Sequence, residues 1–106
     1  MTTLNNHGPD RHSRCVIDLK AIQHNYKTLK AIASGNKLIA VVKADAYGHG
    51  AIEVAQSLPH ADAFAVAAVG EGVSLRDAGI EQKILVLGGF IRPEELQICI
   101  DRKLDP

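Results

Sequence analysis

The densest group of chemically useful side chains lies in AVVKADAYGHG, residues 40–50. Lys43 offers an amine. Tyr47, four residues later, offers a hydroxyl close enough to hold the same ligand. Gly48 and Gly50 leave room for backbone amides to approach an anion near the start of the next helix. The apolar run Leu38–Val42 reads as a buried strand, so Lys43 stands at its carboxyl end. Active sites of parallel α/β folds gather at that end. Partial desolvation there would disfavour the ammonium form. An amine with a reachable neutral form can attack an aldehyde and form a Schiff base. A plainer reading stands beside this one, because most lysines at strand ends are simply solvated. His49, flanked by two glycines, suits a local hydrogen bond better than a chemical role.

The elements that would position these residues follow from patterning. Cys15–Ile17 is a short extended stretch, and Asp18 can cap the helix that follows. Leu19, Ile22, Tyr26, Leu29 and Ile32 recur at three- and four-residue steps, the mark of one buried helical face. Gly35-Asn36 ends that helix. KLIAVVK, residues 37–43, is apolar without alternation, which predicts a strand covered on both faces. Residues 44–50 read as a loop, and Ala51–Leu58 as a short helix stopped by Pro59. Further strands are expected over 63–67 and 84–87, with a helix near 71–78 between them. Pro93-Glu94-Glu95 opens another helix, and a strand is expected again near Asp105.

This alternation means a parallel α/β sheet. It fits either a short doubly wound sheet or the first strands and helices of an eight-stranded barrel. A barrel takes about 250 residues, so this chain could supply roughly three of its eight units. Residues 1–13 read as a flexible arm and 14–106 as the incomplete barrel.

The balance of 12 basic and 12 acidic residues in 106 leaves no basic excess to neutralise phosphates, which argues against nucleic acid and membrane surfaces. Cys15 and Cys99 are far apart and read as free thiols of a reducing compartment. His7 and His12 suit a solvated tail rather than a metal site, and no metal site is expected elsewhere. The polar opening MTTLNNHGPDRHSR is no export signal, so a cytoplasmic protein is expected.

VVKADAYGHG resembles the cofactor-binding signature of alanine racemases, V-V-K-A-[ND]-A-Y-G-H-G. Upstream, VIDLKAIQHNYKTLK is similar to that family's first strand and helix. Downstream, AVAAVGEGVSLRDAGIEQKILVLGGF is similar to A-V-A-x-x-x-E-[AG]-x-x-L-R-x-A-G-I followed by I-L-V-L. The resemblance runs over about residues 14–100. It implies an eight-stranded TIM-type barrel followed by a mostly β domain, in a homodimer. It implies pyridoxal 5'-phosphate as cofactor and interconversion of L- and D-alanine, the D-isomer serving bacterial peptidoglycan. By the same resemblance, Lys43 would form the imine with the cofactor and act as one of two bases. Tyr47 would hold the phosphate, and Leu87 would lie against the pyridine ring. The family takes its opposite-face base, a tyrosine, from the partner's second domain. Neither Tyr26 nor Tyr47 is a stand-in for it, so these 106 residues by themselves are expected to be inactive. The alternatives are a non-catalytic pyridoxal-phosphate-binding barrel, a decarboxylase on the same barrel type, a racemase of broader specificity, or a module without a ligand.

Overall fold

The computed structural model describes residues 2–4 and 13–106. β1 (Thr2–Leu4) pairs antiparallel with β2 (Cys15–Ile17), Thr3 opposite Val16. The arm expected to be flexible over residues 1–13 is therefore strand over 2–4. The backbone groups of β2 need partners, and those of β1 supply them. His7 and His12 lie outside the described residues.

Asp18 caps α1 (Leu19–Ile32) by accepting from the Ala21 amide at 3.1 Å. Leu19, Ile22 and Tyr26 pack against the core, as their spacing predicts. Leu29 and Ile32 do not: they are 57% and 72% exposed. A groove of about 350 Å³ lined by Leu29 and Val41 lies beside them.

After α1 the chain builds four strands: β3 (Ile39–Val41), β4 (Ala63–Val66), β5 (Lys83–Val86) and β6 (Leu104–Asp105). Between β3 and β4 come α2 (Lys43–Gly48) and α3 (Ala51–Gln56). α4 (Val69–Asp77) and α5 (Pro93–Arg102) make the next two crossovers. All four strands are parallel and neighbour one another in chain order. A doubly wound sheet reverses its strand order, whereas a barrel adds each new strand beside the last. The observed order is the barrel's.

Phe64, Val66, Leu75 and Ile84 are sealed from solvent at the centre of the core. Every residue of β4 is buried. β3 departs from expectation: Ile39 and Val41 are half exposed, and full burial begins only at Val42. Two-sided cover requires neighbours, and β3 is the edge strand of this sheet.

Two polar clasps join the elements. Asp62, just before β4, accepts from Lys30 Nζ at 2.5 Å and from the Leu38 amide at 2.8 Å. Tyr26 of α1 donates to the same carboxylate at 3.4 Å and accepts from the Asp62 amide at 3.1 Å. Arg76 of α4 donates to the carbonyls of Ile80, Gln82, Arg102 and Lys103, tying α4 to the amino ends of β5 and β6. The two cysteines are free thiols, Cys15 exposed and Cys99 buried. Among the described residues, no helix is long and apolar enough to cross a membrane.

Candidate active site

Lys43 follows the buried Val42 at the carboxyl end of β3, and Leu87 follows Val86 at the carboxyl end of β5. β4 ends between them: the Val42 amide donates to Ala65 O, and the Leu87 amide to Val66 O, each at 2.8 Å. Lys43 and Leu87 therefore stand at the same end of the sheet, one strand apart. Gly88 continues the junction, its amide donating to Ala67 O at 3.0 Å. A Cβ on Gly88 would sit 2.6 Å from that carbonyl oxygen, which explains a glycine here.

The segment expected to be a loop is a turn of left-handed helix. Ala44, Asp45, Ala46 and Tyr47 have φ of 51°, 55°, 54° and 55° with ψ near 39–47°. Four successive non-glycine residues there are strained, because each Cβ crowds a carbonyl oxygen at a cost of roughly 1–2 kcal/mol. Alanine keeps that crowding minimal, and aspartate tolerates the conformation through local hydrogen bonds.

The surroundings hold the turn in place. The Ala46 amide donates to Val42 O at 2.9 Å, and the buried Ala46 methyl joins the core. Asp45 Oδ1 accepts from the Ala51 amide at 2.8 Å, satisfying a free donor at the start of α3. Gly50, at φ 90°, lets the chain leave the turn, and its amide donates to Asp45 O at 2.9 Å. His49 Nδ1 lies 3.1 Å from Ala46 O, the local hydrogen bond its setting suggests.

Handedness does not spoil the spacing. A left-handed helix also turns in about 3.6 residues, so positions four apart share a face. Lys43 Nζ lies 6.0 Å from the centre of the Tyr47 ring. Lys43 is half buried, while Tyr47 and Leu87 are 62% and 59% exposed. All three present polar or apolar groups to open space at the carboxyl end of the sheet.

The structure adds a residue that motif reading passed over. Glu71, in the first turn of α4, reaches back with Oε1 to the amides of Ala67 at 2.8 Å and Ala68 at 3.1 Å. Ala68 has no side-chain acceptor to cap α4, so the carboxylate of Glu71 does that work. Its Oε2 accepts from the Ala44 amide at 2.8 Å. An acidic residue at the start of a helix that lacks a capping side chain is legible in sequence. The bond to Ala44, 27 positions earlier, is not.

A cavity of about 510 Å³ lies at the opposite, amino end of the strands, lined by Arg76, Ile80, Glu81 and Arg102. Arg76 spends its donors there on backbone carbonyls, which gives that cavity a structural character. Among the described residues, no group of three or more histidine, cysteine or acidic side chains could hold a metal ion.

Comparison with known proteins agrees with this arrangement. The chain is 50% identical over 91 residues to the catabolic alanine racemase of Pseudomonas aeruginosa, covering 85% of this chain and 25% of that one. It is 50% identical over 95 residues to the alanine racemase of Pseudomonas syringae, covering 89% of this chain and 26% of that one. The fold matches the alanine racemase structure from Acinetobacter baumannii with a TM-score of 0.80 at 36% identity, over 83% of this chain and 26% of the other. The biosynthetic alanine racemase of P. aeruginosa gives 0.79 at 42% identity, over 83% and 25%. The chain thus spans about a quarter of the length of these relatives. The model of the alanine racemase N-terminal domain matches residues 17–106, and the chain belongs to that family.

Proposed function

We propose that this chain is the cofactor-carrying part of an amino-acid racemase that interconverts L- and D-alanine with pyridoxal 5'-phosphate. One observation carries the reading: Lys43 and Tyr47 share a face of the left-handed turn at the carboxyl end of the sheet, Nζ 6.0 Å from the ring centre. The residues fit such a cofactor. Lys43 has an amine for its aldehyde, Tyr47 a hydroxyl for its phosphate, and Leu87 an exposed apolar side chain for one face of its ring. When bound, pyridoxal phosphate supplies an electron sink that acidifies the α-proton of an attached amino acid.

The chain's own residues then have separate tasks. The Lys43 amine takes the α-proton from one face of the substrate or returns it there. Tyr47 holds and orients through its hydroxyl. Leu87 keeps water from one side of the ring. A base on the other face is required, and the proposal assigns it to a partner subunit in a homodimer. Residues 14–106 are taken as the opening arc of the barrel domain. A cytoplasmic setting and a supply of D-alanine to cell-wall synthesis complete the proposed reading.

The test is to add pyridoxal phosphate, reduce with borohydride and map the labelled peptides. The label is expected on Lys43 and is lost in Lys43→Ala. A label confined to Lys37 or Lys83 would overturn the proposal.

A further inference from the structure

We infer that Glu71 is a positioning residue for Lys43, holding the peptide bond at which the chain passes from the negative-φ backbone after β3 into the left-handed turn. The inference rests on the reading of Lys43 given above.

Glu71 makes three backbone hydrogen bonds with one carboxylate. Two cap its own helix, at the Ala67 and Ala68 amides, the usual task of a glutamate at that position of a helix. The third serves nothing in α4. It leaves the helix, crosses from the end of β4 to the end of β3, and takes the Ala44 amide at 2.8 Å.

That amide belongs to the peptide unit joining Lys43 to Ala44, the first of four left-handed residues. Fixing its direction fixes the ψ angle of Lys43, and with it the direction in which the turn departs. The Ala46 amide also spans the entry by donating to Val42 O at 2.9 Å, while the bonds at Asp45 and Gly50 act further along. Glu71 is the side chain that takes the Ala44 amide itself. A strained segment persists only where its surroundings over-determine it. Without this bond, the Lys43–Ala44 peptide can rotate toward an unstrained conformation and carry the amine with it.

Glutamine at position 71 keeps the size of the side chain but replaces one acceptor oxygen with a donor. It cannot accept from Ala44 and from Ala67 together through separate oxygens. In the whole 106-residue chain, Glu71→Gln is expected to speed hydrogen exchange of the Ala44 amide at least about tenfold. The Ala78 amide, bonded to Ser74 O at the far end of α4, should change less than about twofold. Borohydride trapping of pyridoxal phosphate on Lys43 should slow about tenfold, with Lys37 and Lys83 unchanged as internal references. Glu71→Asp, which keeps the charge but is one methylene shorter, should act in the same direction.

Ala44→Gly supplies a rescue, since glycine adopts positive φ without strain. Added to Glu71→Gln, it should restore part of the Lys43 trapping. Equal acceleration at Ala44 and Ala78 would overturn the inference, since Glu71 would then support only the fold. Unchanged Lys43 trapping in Glu71→Gln, or a further loss on adding Ala44→Gly, would also overturn it. A label absent from Lys43 in the unaltered chain would instead refute the role of Lys43 itself, so the two failures are distinguishable.

Discussion

At the residue scale, the 43–50 segment separates chemistry from geometry. In the proposed reading Lys43 and Tyr47 carry the reactive groups, while Ala44, Asp45 and Ala46 between them accept an unfavourable backbone. This division predicts different outcomes for different substitutions. Tyr47→Phe keeps the ring and deletes one hydroxyl. A hydrogen bond to a charged group is worth about 1.5–3 kcal/mol, and about 1.4 kcal/mol is one decade of affinity. Affinity for pyridoxal phosphate is therefore expected to fall roughly ten- to a hundredfold, measured by titrating the cofactor's absorbance. Borohydride trapping at Lys43 should survive at saturating cofactor. If affinity held while trapping vanished, Tyr47 would be acting on the amine and not on the phosphate.

At the scale of elements, the site depends on how β3 is anchored. Among the described residues β3 has no strand on its outer side, and β4 and the Asp62 clasp at its amino end hold it. The hydrogen bond from Lys30 is the largest influence holding the Asp62 carboxyl below its ordinary 3.8, followed by that from the Leu38 amide; burial opposes them. A carboxyl lowered on folding adds stability that is fully present above its unfolded value. That stability is lost as pH falls through the lower folded value. The clasp is therefore expected to hold from neutral pH down to about 4, then to weaken progressively below 3.8. Denaturant midpoints of the unaltered chain and of Asp62→Asn, measured between neutral and strongly acid pH, check this. The variant should be less stable at neutral pH, and the gap should close in acid. A constant gap across the series would mean that the Asp62 charge contributes nothing.

At the scale of the molecule, four parallel strands form an open sheet with β3 and β6 as its edges. Open edges present unpaired amides and carbonyls that invite pairing with another chain. Exposed Ile39 and Val41 lie on the edge strand β3, where a further strand of a barrel would pair. The 106 residues alone are thus expected to associate at raised concentration and to give no measurable racemisation, since among the described residues no base faces Lys43 from the other side. Sedimentation and α-proton exchange on alanine with added pyridoxal phosphate are the measurements. Turnover near that of a complete racemase would show that association of these chains builds a whole site.

Local order in this protein is written in local patterns. The Asp18 cap, the helical spacing of Leu19, Ile22 and Tyr26, and the start of α5 at Pro93 each involve residues within a few positions. The strand-end placement of Lys43 and its spacing to Tyr47 were legible for the same reason. Burial was less so. The apolar run of β3 and the stripe ending at Leu29 and Ile32 have buried composition, yet neighbours decide burial, and the sheet ends there. The hand of the 43–48 turn was hidden as well. Nothing in the composition of KADAYG requires four left-handed residues in a row; they hold because Ala46 is packed in the core and because hydrogen bonds with α3 and Glu71 grip the turn. Sequence alone determined which groups could do chemistry and the class of fold that presents them. Only the tertiary structure decided how the lysine is aimed, because that is set by contacts between residues far apart in the chain.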